Sequence, residues 1–549
     1  MSVLRGVFQL RKSYSSLAIT LFFIALSVCY IFVAPQYGYP TDEPAEQVIL
    51  LENMKEYAYF FGGEESDAYK YYDAKWIDRI SESVESDHGE SAYYPFVPLL
   101  NTLDAVSVRI LWRIYTSLFF LGGCVALYFL LKILGLSKVI SALTVLCYVV
   151  CPRFFAEGHY NNKDMVLLSL VFILILLGIR TFQKPTFCRA VIFSAIGAIT
   201  ANTKFIGLFL WGLIGVLLVV RISMQRAWCK STIRAAIFSV VTFFAIYLLI
   251  TPSMWSNPFG YISHAWQNAN QFSRWDGVVL FRSEFYKQSS EPLPRYYLPY
   301  MMMITTPLFI WIPIAIGQCK AFVTIYKGFK KGFENISSVI LLVATCFWLI
   351  PIAYALITRP TVYNGWRHFY FSFSGLAVLM GYGLNSIYLW LKQRKNKLYV
   401  YCFFAVTTLS ILFNCVLIYK NLPYEHTYYN PLMGYKSNSH YSSMELDYWN
   451  LSALESMEKL AEVGEQEPIV IGVLEEMSWH ALSHGYETLS EEKKSKIQIE
   501  NRTDAPFLFV NTMYGFGYGV DIPEGYTPLF TVESYNQVLS TVFVKGEGQ

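Results

Sequence analysis

Residues 139–150 read VISALTVLCYVV, residues 151–164 read CPRFFAEGHYNNKD, and residues 165–178 read MVLLSLVFILILLG. The flanking runs carry no charge, whereas the fourteen residues between them hold an Arg, a Glu, a His, a Lys and an Asp. Ionisable groups are costly inside hydrocarbon, so the two runs read as membrane helices and the middle stretch as their connection at one membrane surface.

The same alternation runs along the whole chain. Of 549 residues, 54% are hydrophobic, 17% aromatic and only 15% charged, a balance that excludes an ordinary water-soluble protein. The apolar residues gather into eleven windows, near 17–34, 110–134, 139–152, 165–181, 190–202, 205–221, 235–252, 297–319, 337–358, 368–391 and 398–419. About 20 residues of helix cross a hydrocarbon core of roughly 30 Å, and helices satisfy their own backbone there. The fold class expected is therefore a polytopic α-helical membrane protein of about 11 transmembrane helices, with the windows at 139–152 and 190–202 short. The first window is long and lacks a small-residue cleavage site, so it is expected to stay as a signal anchor.

Orientation follows from Lys and Arg, which collect on the cytoplasmic side. Alternate connections are basic: Lys132 and Lys138, then Arg180, Lys184 and Arg189, then Arg221, Arg226, Lys230 and Arg234, with two more groups at 320–331 and 392–397. Eleven spans then put the amino terminus inside and place 151–164 and the tail outside, in an inner or plasma membrane. The domains expected are a membrane part, 1–419, and an extracytoplasmic tail, 420–549. All ten cysteines fall in spans, at span ends or in inner loops, so no structural disulfide is expected. The net charge of +3 sums basic inner loops with acidic outer ones, and nothing points to nucleic acid. No Walker loop or dinucleotide fingerprint occurs, which argues against a nucleotide-driven transporter.

Three outer regions are long: 35–107, 253–296 and the tail. The first holds an acidic stretch, GGEESDAYKYYDAKWIDRISESVESDHGE, with apolar residues at helical spacing, and is expected to form surface helices. The second, SMWSNPFGYISHAWQNANQFSRWDG, is rich in Trp and Tyr and suits an interfacial helix. The tail alternates strand-like EPIVIGVL, PFLFVN and STVFVK with helix-like LSALESMEKLAEV, which predicts a small α/β domain.

Basic residues at the outer surface have no reason in orientation. They are Arg153, Lys163, Lys204 in TANTKFIG, and Arg359 and Arg367 in TRPTVYNGWRHFYF. Singly each is explained by snorkelling to headgroups or by pairing with Glu157 and Asp164. As a set from separate connections they make a seat for a phosphate at headgroup depth. Asp42 and Glu43 supply a carboxylate beside Pro44, suited to taking a proton from an attacking hydroxyl and equally to capping the following helix. Glu157, His159 and Asp164 read as a hydrogen-bonding set, with a divalent metal on Glu157 and Asp164 as the alternative. His368 reads as a hydrogen-bond donor to substrate or to a neighbouring helix.

The Asp-Glu pair after the first span, FAEGHYNNKD before the fourth, TKFIG, and YNGWRHFYF together resemble the GT-C superfamily of membrane glycosyltransferases. The resemblance is to bacterial and archaeal relatives of the dolichyl-phosphate-mannose protein mannosyltransferases and of the lipid A aminoarabinose transferase, and it covers most of the chain. It implies transfer of a hexose or pentose from a polyprenyl-phosphate donor to a lipid, polysaccharide or protein acceptor, with inversion. Asp42 would be the base with Glu43 beside it. Lys163, Lys204 and Arg367, with Arg153 and Arg359, would hold the donor phosphate. Glu157, His159, Asp164, Tyr363 and His368 would shape the substrate site. No cofactor is required beyond a possible divalent metal. The protein mannosyltransferases insert their soluble domain in a later outer loop, whereas here the soluble mass is the tail. Two other classes fit the composition: a flippase for a polyprenyl-linked glycan, which needs polar or broken helices near the midplane, and a scaffold displaying the tail, which needs no cations at the boundary.

Overall fold

The computed structural model describes residues 2–271, 277–433, 443–463, 468–474, 476–511 and 521–546. Helix α1 (Ser2–Val33) leads to α2 (Glu43–Gly62), α3 (Asp67–Asp73) and α4 (Val97–Thr102). Next come α5 (Ala105–Ile133), α6 (Lys138–Val149), α7 (Pro152–Tyr160), α8 (Asp164–Gln183), α9 (Phe187–Thr203), α10 (Ile206–Met224) and α11 (Lys230–Ile250). Helix α12 (Pro258–Gln271), a hairpin of β1 (Val278–Phe281) and β2 (Glu284–Lys287), and α13 (Tyr297–Ile304) precede α14 (Trp311–Lys330), α15 (Ile336–Thr358), α16 (Phe373–Lys392) and α17 (Leu398–Asn421).

Among the described residues nine helices are long and apolar enough to cross a membrane, ten if one bent pair counts as a span. Each of the eleven apolar windows falls on a helix. The two short ones are α6, of 12 residues, and α9, of 17. At 1.5 Å per residue α6 rises only about 18 Å. It stops because Pro152 follows Cys151: proline lacks an N–H and pushes the residue before it into an extended conformation, which Cys151 adopts. The chain restarts as α7 at 75° to α6. So the stretch 151–164 is not an open loop but a short buried helix and a turn. The window at 297–319 is displaced for a related reason: α13 ends at Ile304 just before Pro307, and the crossing segment runs Leu308–Lys330.

Side-chain caps fix several helix starts. Asp104 accepts from the Ser107 N–H at 3.0 Å, Ser137 from Ile140 at 3.2 Å and Asn335 from Ser337 at 2.9 Å. Helices α14 and α16 pack backbone to backbone. A Cβ on Gly317 would meet the Leu379 carbonyl oxygen at 1.9 Å, and one on Gly383 the Pro313 carbonyl oxygen at 1.8 Å, the small-residue contact by which membrane helices associate.

The tail forms α18 (Ser452–Val463), β3 (Ile469–Val473), α19 (Glu476–Glu487), α20 (Glu491–Lys494), β4 (Ile497–Ile499), β5 (Phe507–Asn511), β6 (Tyr526–Ser534) and β7 (Gln537–Lys545). The sheet order is β4-β3-β5-β7-β6, with β3 parallel to β4 and β5 and the last two strands antiparallel. Near-continuous apolar strands such as IVIGV suit a parallel sheet covered by helices, and Met457, Leu460, Leu482, Ile471 and Phe509 share its core. Tyr424, Tyr429, Met444, Leu446, Tyr448, Trp449 and Leu451 pack instead in the core of the membrane helices. In the expected interfacial segment the helix is α12, and residues 272–276 lie outside the described residues.

Candidate active site

The starts of α2, α8 and α10, the end of α9, the second half of α15 and the turn before α16 converge on one cavity. Ser91 donates its N–H to Asn202 Oδ1 at 2.9 Å, Asn202 donates to Thr251 Oγ1 at 3.0 Å, and Lys204 bonds Asp164 at 2.5 Å. Here Asp42 stands just before α2, yet its side chain caps no helix N–H. It accepts instead from Arg367 at 2.6 Å, and its side chain is 39% exposed, so part of the carboxylate is open to a second partner. Arg367 is buried, at 4% exposure, with its guanidinium between the rings of Tyr363, 4.4 Å away, and Trp449, 4.3 Å away. Sandwiching of this kind fixes a guanidinium that would otherwise sweep a wide arc.

Lys163 has its ammonium 3.2 Å from Glu46, in contact with Glu90, and 2.9 Å from the Gly89 carbonyl oxygen. Burial alone would neutralise such a lysine, but the two carboxyls more than offset it and raise its pKa. Burial pushes the Glu90 carboxyl well up against the pull of Lys163. Glu46 is pushed up by burial too, yet the Lys163 charge holds it below the ordinary range. Lys163 thus faces two carboxyls held in opposite directions, Glu46 down and Glu90 up. Lys204 is the most open of the three cations, at 25% exposure, and pairs with Asp164, which also accepts from Asn161 Nδ2 at 3.4 Å.

Asp42, Lys163, Lys204 and Arg367 line one cavity of about 470 Å³, within the range of small-molecule sites. Its polar end holds Asp42, Glu46, Lys163, Asp164, Lys204 and Arg367, with Tyr363 and His368, whose rings meet edge to face at 4.3 Å. Its other arm is apolar, between Phe209, Leu210 and Leu213 of α10 and Phe347, Ile350 and Pro351 of α15. Phe209 and Ile350 are exposed on the helix surface, so the arm opens sideways where lipid would lie.

Five sequence-selected residues lie away from the cavity lining. Glu43 is buried against Arg113 and accepts from Gln47 at 3.1 Å. Burial pushes its carboxyl up to about 7 despite that partner. Arg153 is sealed under the tail, donating to the Tyr428 carbonyl oxygen at 3.2 Å and stacking on Tyr429. Arg359 ends α15 in the left-handed region and donates to the carbonyls of Leu293 and Pro292. Glu157 accepts from Tyr370 at 2.7 Å, Tyr448 at 2.9 Å and Asn161 at 2.7 Å. His159 bonds the carbonyls of Phe155 and Tyr30 and stacks on Tyr30 at 3.9 Å. Among the described residues no group of His, Cys, Asp and Glu is placed to hold a metal ion, and Glu157 and Asp164 are engaged as described.

Sequence reading missed Glu46, Glu90 and Trp449. Glu46 was within reach: it follows Asp42 by four residues, one helical turn on the same face. Trp449 lies in the tail stretch ELDYWNLS, but no spacing pattern ties it to the site, because it lies 408 positions along the chain from Thr41.

No family model matches the chain, and no curated protein matches it. Among solved structures it is similar to a crystal structure of ArnT from Cupriavidus metallidurans bound to undecaprenyl phosphate. The two are 12% identical, with 96% of this chain and 98% of that one covered and a TM-score of 0.47.

Proposed function

We propose that this chain is a membrane glycosyltransferase of GT-C type that moves a sugar from a polyprenyl-phosphate donor to an acceptor at the extracytoplasmic face. One observation carries the reading: a single cavity joins a cluster of cations and carboxylates at the bundle end to an apolar arm that opens between two membrane helices. A ligand that fits both parts has an anionic head and a hydrocarbon tail. Basic connections at the opposite end of the bundle support placing this end outside.

Arg367 and Lys204 hold the donor phosphate, and the polyprenyl chain leaves through the α10–α15 arm. The acceptor hydroxyl approaches the anomeric carbon opposite the phosphate. Asp42 takes its proton through the carboxylate oxygen that Arg367 leaves free. The C–O bond to phosphate breaks as the new glycosidic bond forms, inverting the carbon, and the two cations receive the charge of the departing lipid phosphate. Lys163 keeps Glu46 and the start of α8 in place beside this centre. A flippase is less well served, because the arm runs along the first two turns of α10 rather than continuing through the bundle.

The test is mass analysis of envelope glycans and glycolipids from cells lacking the gene and from cells restored with wild type, D42N or R367A. A pentose or hexose lost from one component, restored by wild type and by neither variant, is the expected outcome. Full restoration by both variants refutes the mechanism.

A further inference from the structure

The segment that enters the tail domain is built into the cavity. The Trp449 carbonyl oxygen receives the Thr41 N–H at 3.0 Å, one residue before Asp42. Asn450, in the left-handed region at φ 57°, reaches back to the Thr41 hydroxyl at 2.7 Å. It also receives a hydrogen bond from Asn511 at the end of β5, at 2.9 Å. Asp447 caps the same turn by accepting from the N–H groups of Leu451 and Ser452 at 3.0 and 2.9 Å. The turn is thus tied to the tail sheet on one side and to the residue before Asp42 on the other.

This scaffold presents the Trp449 ring to the cavity wall. One face of the indole is taken by the Arg367 guanidinium, and Tyr160 meets the ring edge to face at 5.5 Å. The residue is 3% exposed, and among the described residues its Nε1–H meets no acceptor. The Arg367 Nε–H, on the residue stacked against it, meets none either. Buried donors without partners are rare and costly, and here two of them belong to neighbouring side chains that line the same cavity.

We propose that Trp449 is a donor-binding residue contributed by the tail: its indole N–H and the Arg367 Nε–H together bond oxygens of the lipid-linked phosphate. The inference rests on the polyprenyl-phosphate reading above and adds a neutral donor to the two cations. It makes the tail domain part of the substrate site, because the turn carrying Trp449 is held by β5.

The test uses the full chain in lipid nanodiscs, titrated with undecaprenyl phosphate and, separately, with undecaprenol, which lacks the phosphate. W449F keeps an aromatic face on Arg367 and removes the N–H. It is expected to weaken undecaprenyl phosphate binding about tenfold, the size of one hydrogen bond to a charged group, and to leave undecaprenol within twofold of wild type. Unchanged affinity for the phosphate overturns the assignment, as does an equal loss for both lipids, which marks a packing effect. A measurement on wild type needs no variant: with indole-15N-labelled chain, the 31P of bound undecaprenyl phosphate is expected to dephase an indole nitrogen signal, and its failure to dephase any overturns the proposal. If wild type itself does not prefer undecaprenyl phosphate to undecaprenol, the donor reading falls. If wild type does and W449F matches it, only the role of Trp449 falls.

Discussion

Replacing Arg367 by Met keeps the length of the side chain and removes its charge and donors. The stability cost is bounded by what the guanidinium touches. Its ion pair with Asp42 involves a carboxylate 39% exposed, so solvent screening limits the pair to about 1 kcal/mol or less, and Asp42 is left hydrated rather than stranded. The contacts with Tyr363 and Trp449 contribute about 0.5–2 kcal/mol each, part of which the Met side chain recovers by packing. R367M should therefore be destabilised by about 1–3 kcal/mol and remain folded. The loss in transfer should be larger in kind. Removing a donor aimed at developing charge costs about 10²–10³ in rate, or about 2.7–4 kcal/mol of barrier at 1.36 kcal/mol per decade. The assay pairs thermal unfolding of purified chain with the rate at which the native acceptor is modified after induction in cells lacking the gene, at a temperature where both forms are folded. Because Asp42 and Arg367 act on one reacting centre, the D42N R367M double variant should lose much less than the product of the two single losses. Transfer by R367M within about threefold of wild type, with its fold intact, refutes the placement of the phosphate.

Leu210→Trp fills the apolar arm between α10 and α15 from a buried position. It should abolish undecaprenyl phosphate binding while the thermal unfolding temperature changes little, and tight binding by L210W would refute the lipid path. Asp42→Asn should reduce transfer by about 10²–10⁴ yet bind undecaprenyl phosphate as well as wild type or better, because it frees Arg367; a parallel loss of binding would assign Asp42 to the donor instead. Glu445 is buried beside the site, and burial pushes its carboxyl from 4.5 up to about 7. The folded chain then keeps a proton between those pH values that the unfolded chain has released. Stability is full below about 4.5 and falls as pH rises through 7. Unfolding curves of E445Q should be flatter across that window, and identical pH profiles for the two forms would refute the buried, protonated carboxyl.

How much of this is legible before folding can be read from the five outer cations. Lys204, Lys163 and Arg367 were selected because orientation gave no reason for them, and all three line the cavity. Arg153 and Arg359 met the same criterion and lie elsewhere, satisfied by the carbonyls of Tyr428, Leu293 and Pro292. A sequence shows an unexplained charge but not the backbone oxygens that will curl around it, since those come from segments 66 and 275 residues away. The spans were legible because hydropathy is a property of contiguous residues. The bend after α6 was marked by Pro152 and overlooked, because a polar stretch between two apolar runs reads as a loop whether or not it is buried.

Each of the three cations already has a carboxylate partner without substrate. Asp42 pairs with Arg367, Asp164 with Lys204, and Glu46 with Lys163. A donor phosphate therefore does not fill an empty cationic hole; it must take Arg367 or Lys204 from a carboxylate. The two exchanges differ in consequence. When Lys204 turns, Asp164 keeps Asn161 as a partner through the side-chain amide and through its own N–H, so the start of α8 stays in place. When Arg367 turns toward phosphate, Asp42 loses the side-chain partner it has in the resting site, and both carboxylate oxygens become available to an acceptor hydroxyl. Donor binding would then add the second carboxylate oxygen to the one already open, which couples acceptor binding at Asp42 to the leaving group being in its seat. Acceptor affinity measured with and without undecaprenyl phosphate tests this directly, with tighter binding in its presence expected and equal binding refuting the exchange.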